Sequence, residues 1–404
     1  MDEPNSQRDR ARSQLYQSLK PYLFYSQLMC SAPYPVECLQ GSNGIGINTR
    51  SYFKSARFLL TAVVLSNTIM CSLEAMVELI DVPMPFFTGV LYVNEVVLGM
   101  VISLMTAGRG YKEGKHYDRF VTGILMVAEA LLPSEWKNIV SSVQFRMRFT
   151  CTGLTIVVML CLICDYVHFG SLKATLFSLG AYMMPNLLVM LSFLQCCFGT
   201  VLIYKLLQNM RHRLSPKELA RCDLMERVVE TERHYIQLTA CMELIVRSFE
   251  YLIVINTFAG INVTSLQLLE IYQHLQQTDT AEVYIMYNSF WIVMQLCILL
   301  TVLYPCHLVK RELSRLGLTM FQLSQRGDAR LEAKLARFGI LTLNRKDVPY
   351  TALGMLKLEL SSLSSIFVAL LSFLIILIQF DSSNLNKHKG TVTTMDSLYN
   401  KIQD

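Results

Sequence analysis

Seven long stretches of this 404-residue chain are almost free of charged side chains, and they constrain its fold more than any other feature. Each stretch, with its flanks, reaches the roughly 20 residues that an α-helix needs to cross a ~30 Å hydrocarbon core. Only helices and closed barrels satisfy every backbone polar group in hydrocarbon, and the stretches lack the alternation of barrel strands. The sequence therefore predicts an all-α polytopic membrane protein with seven transmembrane helices, at about 55–77, 82–107, 147–168, 180–205, 243–263, 283–306 and 360–380.

The overall composition supports this interpretation. Hydrophobic residues make up 52% of the chain and charged residues only 17%, against about 25% charged in ordinary globular proteins. A soluble domain would have to bury this apolar surplus in a core larger than cores become, since they stop growing at roughly 250–300 residues. A soluble enzyme, a disordered chain and a disulfide-rich secreted domain are therefore excluded. The N-terminal twenty residues hold no apolar core, so we expect no cleavable signal peptide.

The basic residues are distributed unevenly between the segments that link the spans. Of the 36 Lys and Arg residues, thirty lie on the side of the N-terminus and four on the other side. By the positive-inside rule, this predicts a cytoplasmic N-terminus and an extracellular C-terminus. The expected organisation is a cytoplasmic arm at 1–54, the bundle at 55–380 and an extracellular tail at 381–404. A G-protein-coupled receptor has the opposite orientation.

The basic segments also contain helix signals. Ser215 through Glu218 form a capping box with proline at the first helical position, which predicts a helix from about residue 216 into the fifth span. The sixth span is expected to continue towards Gly317, and a third helix to run from Ala329 to a C-terminal glycine, Gly339. Long helices of this kind predict a cytoplasmic anchor region that packs together or against neighbouring subunits. Solvated connector helices are the alternative.

No sequence pattern indicates catalysis or a cofactor. The chain has no Walker loop, GxSxG or HExxH motif, so we expect neither an enzyme nor a bound metal. The pair Cys161 and Cys164 reads as CxxC, but it lies in an apolar span without further ligands, which favours packing. The one N-x-S/T sequon, at Asn262, falls at the start of the predicted extracellular loop between spans five and six, close to the membrane.

Polar residues recur along the seventh span. Ser365, Ser372 and Gln379 are seven residues apart and therefore lie on one helical face. Such a stripe, separated by bulky apolar residues, fits a pore face with a hydrophobic constriction. Small polar residues also allow close helix packing in membranes, so the pattern alone leaves both interpretations open.

The run from Ser372 to Phe380 closely resembles the insect gustatory receptor signature of Thr-Tyr, five hydrophobic residues and Gln-Phe. The segment 350–360 resembles the one that leads into the last helix of that family. Ser372 keeps the hydroxyl of the signature threonine, whereas Phe373 lacks the tyrosine hydroxyl. The span number, orientation, length and basic loop between spans six and seven match the family along the whole chain.

The resemblance implies a gustatory chemoreceptor that is a ligand-gated, non-selective cation channel in the plasma membrane of sensory neurons. It implies a homotetramer or a heterotetramer with related receptors, surrounded by membrane lipid, that responds to a small-molecule tastant and binds no nucleic acid. Carried over by position, Gln379 and Phe380 form the constriction and Ile376 the apolar gate. Asp381 is not part of the family motif, but its position just outside Gln379 predicts an acidic ring of four copies that favours cations. The predicted pore residues are Ser365, Ser372, Ile376, Gln379, Phe380 and Asp381.

The resemblance also implies a ligand pocket in the outer half of each bundle, where aromatic and polar residues gather. Tyr284, Tyr287 and Trp291 share one helical face, and the deeper pair Tyr287 and Trp291 are the strongest candidates. An interfacial aromatic belt is the alternative explanation. The full set of pocket candidates is Tyr166, His168, Tyr182, Asn186, Phe258, Tyr284, Tyr287 and Trp291.

Three other questions stay open at this point: the role of Glu95, the class of function and the stimulus. Glu95 lies in the middle of the second span, where acids are costly and usually functional, although it could simply pair inside a polar interior. The alternative functions are a G-protein-coupled-type receptor and a secondary transporter. Transporters often contain internal repeats, and none is visible here. The sequence does not identify the stimulus, for which a bitter compound is only a default choice.

Overall fold

The computed structural model of the chain describes residues 3–28, 31, 47–81, 86–112, 114–214, 221–275, 282–324, 329–346 and 350–380. The helices in chain order are α1 Glu3–Leu28, α2 Ile47–Asp81, α3 Phe86–Lys112, α4 Gly114–Glu129, α5 Pro133–Phe169, α6 Leu172–Ser178, α7 Met184–Arg213, α8 Arg221–Leu275, α9 Glu282–Ser324 and α10 Ala329–Lys346. A small antiparallel sheet follows, with strands β1 Thr351–Ala352 and β2 Leu356–Lys357, and then the last helix, α11, at Ser362–Phe380.

The all-α fold class is confirmed. The described residues contain seven helical stretches that are long and apolar enough to cross a membrane, and they lie at the seven predicted positions. We name the two ends of the bundle after residues in the connections. The Gly170 end is where α5 ends, and the Arg213 end is where α7 ends.

Helix α7 forms the centre of the bundle. It packs against α3, α5, α8 and α9, and 83% of the apolar window within Leu172–Arg213 is buried inside the protein. A helix that is hydrophobic on all sides is stable when other helices surround it. The main core cluster extends from α7 into α4, α5, α8 and α9.

A π-helical segment, Leu179–Met183, joins α6 to α7. The backbone N–H of Met184 bonds to the carbonyl of Leu179, five residues earlier, and Pro185 follows without an N–H of its own. Proline removes one regular helix bond, and single π turns are a common way to accommodate such an interruption. A Cβ on Gly180 would lie 2.7 Å from the Sγ of Cys71, so the glycine allows α2 to approach this segment closely.

The helices at the Arg213 end are longer than the sequence predicted. Helix α8 is continuous over 55 residues, about 80 Å at ~1.5 Å per residue. The expected limits at Gly317 and Gly339 were wrong, because α9 continues to Ser324 and α10 to Lys346. A glycine inside a helix costs only about 1 kcal/mol relative to alanine, and packing of α10 on α9 offsets that cost.

Three helices were absent from the sequence predictions: α1, α4 and the short α6, which lies between the predicted third and fourth spans. Helix α1 lies in the predicted N-terminal arm and packs against α4, α5 and α7. Its Leu15 side chain is buried, and the carbonyl of Ala11 accepts a hydrogen bond of 3.3 Å from Trp136 Nε1 of α5. Helix α4 lies in the basic segment after α3 and buries an apolar face that includes Ile124 and Leu125. Charge counting identified these segments as non-spanning but did not detect their amphipathic periodicity.

The two short strands form a hairpin that leads directly into α11. Leu353 and Gly354 in its turn both have positive φ, at 52° and 70°, a conformation that glycine adopts readily and leucine rarely. The N–H of Leu358 bonds to the carbonyl of Tyr350 at 2.7 Å, and the hydroxyl of Ser362 to the carbonyl of Lys357 at 2.6 Å. The hairpin therefore fixes the point at which α11 begins.

Some predictions fall on residues that the structure does not describe. They concern the capping box at 215–218, Asp381 and the tail at 381–404. The nine cysteines whose side chains are described, including Cys161 and Cys164, are all free thiols. Among the described residues no group of three or more His, Cys, Asp or Glu side chains could hold a metal ion.

Candidate functional site

A row of aromatic side chains begins α9 at the Gly170 end. Tyr284 and Tyr287 have ring centroids 6.5 Å apart, and Tyr287 and Trp291 are also 6.5 Å apart. His168 from α5 stacks on Tyr287 at 4.7 Å, and His274 from α8 lies 4.7 Å from Tyr284. Their i, i+3 and i+7 spacing places the α9 residues on one face, and this face turns towards α5 and α8.

A buried carboxylate lies below this row. Asp165 on α5 is fully buried. Its Oδ2 accepts a hydrogen bond of 2.9 Å from the hydroxyl of Ser178, and its Oδ1 accepts one of 3.3 Å from Trp291 Nε1. These bonds connect α5, α6 and α9, and they fix the orientation of the Trp291 ring.

Two further acids lie on the other side of the aromatic row. Glu270 on α8 is buried and accepts a hydrogen bond from the hydroxyl of Tyr92 on α3. Glu95, one turn further along α3, lies close enough to Glu270 for the two charges to interact. Asp165, Glu95 and Glu270 all lie near Tyr287. We call these three acids with His168, Tyr284, Tyr287 and Trp291 the acid–aromatic cluster.

Amide side chains surround the cluster. Asn288 on α9 is fully buried beside Glu270 and Tyr284, yet neither of its amide atoms makes a hydrogen bond of normal geometry. Two turns further along α9, Gln295 donates to Asn186 at 3.0 Å, and Asn186 donates to the carbonyl of Tyr182 at 2.9 Å. Buried polar groups normally have partners, so the Asn288 amide is an exception.

The sequon residue Asn262 belongs to the same buried region. The expectation that it begins a loop was wrong, because α8 continues past it to Leu275. Asn262 is 4% exposed, donates to the carbonyl of Leu91 at 3.1 Å and accepts from Asn94 at 2.8 Å. Its amide holds α8 against α3, so it is not available for a glycan.

The structure brings together six of the eight predicted pocket residues. His168, Tyr284, Tyr287 and Trp291 lie in the cluster, and Tyr182 and Asn186 lie beside it. Tyr166 and Phe258 lie elsewhere, on the outer surface, with exposures of 52% and 58%.

Sequence reasoning missed five residues of this region. They are Tyr92, Asp165, Glu270, His274 and Asn288. Asp165 and Glu270 each stand directly beyond a charge-free stretch, so both were assigned to span ends or loops. The rule that acids near spans are rare and functional, applied to these positions as it was to Glu95, would have found them.

The last helix differs from the other spans. It is the most apolar of the seven, but only 11% of its window is buried inside the protein. Leu370 and Leu377 are its buried side chains in the apolar part, and Leu377 joins Leu91, Leu266 and Leu269 in a separate cluster. The helix therefore contacts the rest of the chain along one narrow leucine face.

The predicted pore residues lie on the opposite, exposed surface of α11. Ser365, Ser372, Ile376 and Gln379 are all exposed. Phe380 is half-exposed, and its ring stacks on Phe87 of α3 with centroids 5.0 Å apart.

An ion pair joins α9 to the segment before α11. The ammonium group of Lys310 contacts the carboxylate of Glu359, three residues before Ser362, whose hydroxyl bonds to the hairpin. The hydrogen bond from Lys310 holds the pKa of Glu359 below its usual value. Helix α9 therefore contacts the acid–aromatic cluster near its beginning and the base of α11 further along.

A lateral groove lies between α8, α9 and α11. Its volume is about 540 Å³, and its lining includes Asn256, Gly260, Gln295, Ser364 and Phe367. The absence of a side chain at Gly260 leaves room beside Gln295, whose Oε1 would lie 3.6 Å from an added Cβ. Gln295 also donates to Asn186, so the groove lies next to the amide side chains that surround the acid–aromatic cluster.

These features agree with the comparison to known proteins. The family model described as 7tm Chemosensory receptor matches residues 19–384. The chain belongs to this chemosensory receptor family. No curated protein is detectably similar to it in sequence.

Solved structures show the same fold for this receptor. The insect olfactory receptor OR5 from Machilis hrabei superposes with a TM-score of 0.65 at 12% identity, covering 90% of this chain and 99% of that one. The same protein in complex with eugenol gives a TM-score of 0.62, with the same identity and coverage. The family and the seven apolar helices indicate that this chemosensory receptor is a multi-pass membrane protein.

Proposed function

We propose that this receptor is a gustatory-type, ligand-gated cation channel of the plasma membrane of sensory neurons, with α11 lining the pore. The observation that carries the proposal is the contrast within α11, which is the most apolar span and the least buried. A single copy leaves most of this helix uncovered. Assembly of four copies, as a homotetramer or with related receptors, would place α11 around a common axis.

The distribution of side chains around α11 supports this arrangement. Its leucine face packs on its own bundle, whereas Ser365, Ser372 and Gln379 face outwards together with Ile376. Polar groups in contact with hydrocarbon are costly, and a shared aqueous pore would hydrate them. Ile376 would provide an apolar constriction of the kind that closes by dewetting.

The orientation follows from the basic residues. The Arg213 end carries the long α8, α9 and α10 extensions, which hold many of the thirty Lys and Arg residues. The positive-inside rule places this end and the N-terminus in the cytoplasm. The acid–aromatic cluster then faces the extracellular side, where a dissolved tastant arrives.

The acid–aromatic cluster is our candidate for the ligand site. It combines aromatic rings with a small number of polar groups, which is typical of small-molecule sites. The similar Machilis hrabei receptor was solved with the small odorant eugenol. Ligand contacts on α9 would reach α11 through the Lys310–Glu359 pair and the hairpin, which couples the site to the pore helix.

Recording from cells that express this chain tests the pore assignment. Gln379→Ala and Phe380→Ala should each change the basal current or the relative permeability of cations, because these side chains would border the constriction. Gln322→Ala provides a matched control, since Gln322 is exposed on α9 far from α11. Unchanged gating and permeation in both α11 variants, at normal surface expression, would refute the assignment.

A further inference from the structure

The acid–aromatic cluster contains three acids in segments of the chain that hold no Lys or Arg. Its three acids, Glu95, Asp165 and Glu270, lie on α3, α5 and α8. The sequence has no Lys or Arg at 86–108, 149–170, 248–275 or 282–309, which are the parts of α3, α5, α8 and α9 that surround the cluster. Buried charges are normally paired, because removing an unpaired charge from water is costly. The basic side chains of these segments that reach the cluster are two histidines, His168 against Tyr287 and His274 against Tyr284.

The three acids differ in how well they are satisfied. Asp165 accepts bonds from Ser178 and Trp291, and Glu270 accepts one from Tyr92. Among the described residues Glu95 receives no hydrogen bond, and its charged neighbour is a second acid, Glu270. Glu95 is surrounded by other residues, but part of it remains accessible at the protein surface. A small molecule that enters the bundle could therefore reach it.

Asn288 is an independent indication of a missing partner. Its side chain is fully buried next to Glu270 and Tyr284, and neither amide atom makes a hydrogen bond of normal geometry with them. Leaving buried polar atoms unsatisfied costs about 1–3 kcal/mol each. A ligand with an N–H or O–H group at this position would satisfy the amide oxygen.

The geometry favours an organic cation over a metal ion. No group of described His, Cys, Asp or Glu side chains is close enough to coordinate a metal. All three acids lie near the ring of Tyr287, and Tyr284 and Trp291 flank it, each with its ring centroid 6.5 Å away. Aromatic faces attract ammonium groups, with larger energies when the site is desolvated. Carboxylates spaced around aromatic rings therefore suit a bulky, diffuse positive charge.

We infer that the cluster binds a small organic cation, an alkylammonium or protonated amine, between Glu95, Glu270 and the Tyr287 ring. This inference rests on the proposed ligand site and adds the chemical class of the ligand. The acids supply the counter-charge, the rings contact the alkyl groups around the nitrogen, and Asn288 accepts a polar hydrogen of the ligand.

A pair of isosteric probes tests the charge requirement. Choline and its uncharged tert-butyl analogue, 3,3-dimethylbutanol, have nearly the same shape. Binding to the full chain in lipid nanodiscs is followed by the fluorescence of Trp291, with Trp136 at the Arg213 end as a constant background. Short alkyltrimethylammonium ions and primary amines extend the series. We expect each cation to bind more tightly than its neutral analogue.

Substitutions locate the charge effect. Glu270→Gln and Glu95→Gln keep the shape of the side chain, and each should weaken cation binding by roughly thirtyfold or more, while binding of the neutral analogue changes little. Glu74→Gln, at an exposed acid of α2, should leave both affinities unchanged. The inference is overturned if no cation in the series binds better than its neutral analogue, or if the preference survives both substitutions.

Currents recorded in parallel separate this inference from the proposed function. Neutral compounds that open the channel without any preference for cations would overturn the inference and leave the channel proposal intact. Charge-selective binding without any current would support the cation site and contradict the channel.

Discussion

Docking of α10 depends on very few side chains, which makes its stability a quantitative test of the structure. Leu335 and Phe338 are its buried hydrophobic residues among those whose side chains are described, and Phe338 is fully buried. The Phe338 ring meets Tyr235 of α8 edge-on, with centroids 5.1 Å apart. Because isolated helices of about this length are marginal in water, α10 should remain folded mainly through its packing on α9 and α8, to which Phe338 contributes.

Phe338→Ala should therefore release α10 while the membrane bundle stays folded. Truncation of a buried Phe to Ala costs about 3–5 kcal/mol, and each 1.4 kcal/mol is tenfold in an equilibrium constant. The backbone amides of α10 should exchange with deuterium on the order of a hundredfold to a thousandfold faster. Exchange within α7 should not change, because α7 is buried at the centre of the bundle.

Two variants on the same helix complete the experiment. Leu335→Ala should act in the same direction, since Leu335 is 2% exposed. Ile340→Ala removes an exposed side chain, so it should alter stability by no more than about 0.5 kcal/mol. Equal exchange rates in wild type and Phe338→Ala, or equal effects of Phe338→Ala and Ile340→Ala, would refute the proposed docking.

Three further predictions concern other contacts. Endoglycosidase treatment should leave the electrophoretic mobility unchanged because Asn262 is buried. Asn262→Ala should lower the free energy of unfolding by about 1–3 kcal/mol because it leaves the Asn94 amide unsatisfied. Gly199→Ala places a Cβ 2.6 Å from Ile245 Cδ1 and should cost about 1–3 kcal/mol, with partial rescue by Ile245→Val in a thermal-melting assay. The pKa of Glu359 is lowered in the folded protein, so its contribution to folding stability is constant above the unfolded pKa and is lost as the pH falls through the folded pKa. The difference in melting temperature between wild type and Glu359→Gln should therefore stay constant from about pH 8 to about pH 5 and decrease below that.

The sequence predicted the spans well because their signal is compositional. A run of about 20 residues without charge is sufficient evidence for a spanning helix, and all seven predicted spans coincide with helices of the structure. Helix α1 was not predicted because it is polar overall and is stabilised by tertiary contacts such as the Trp136–Ala11 bond. Helix α4 was not predicted because its apolar residues are too few for a span and lie in a segment identified by its basic residues. Glycine alone was a poor predictor of helix ends, as Gly339 shows.

The candidate site was only partly predictable. The spacing of Tyr284, Tyr287 and Trp291 predicted their shared face, and the structure shows it. Sequence spacing within a single helix cannot indicate which neighbouring helix supplies a partner. The acids Asp165 and Glu270 come from α5 and α8, so their convergence on the α9 row depends on how three helices are rotated against each other.

Helix rotation is difficult to predict for a physical reason. In water, hydrophobic faces must be buried, so hydropathy indicates which side of a helix faces the core. Lipid tails are as apolar as leucine, so an apolar face can remain exposed to lipid without a hydrophobic penalty. The central α7 and the peripheral α11 are accordingly both strongly apolar, although 83% of one window and 11% of the other are buried.

Polar side chains provide the missing information, because they are costly in lipid and should face protein or water. Asp165 and Asn288 follow this rule inside the bundle, where both are fully buried. Ser365, Ser372 and Gln379 face away from the bundle, where a single copy provides no partner surface. The hydroxyl of Ser372 bonds to the carbonyl of Val368 within its own helix, which a serine can do in lipid. This bond does not involve Gln379, whose larger amide group is costly to expose to hydrocarbon. The row formed by Ser365, Ser372 and Gln379 faces neither the core of its own bundle nor a favourable lipid contact. Water shared between several copies explains this orientation best. The orientation therefore supports the proposed pore more strongly than the spacing of the three residues alone.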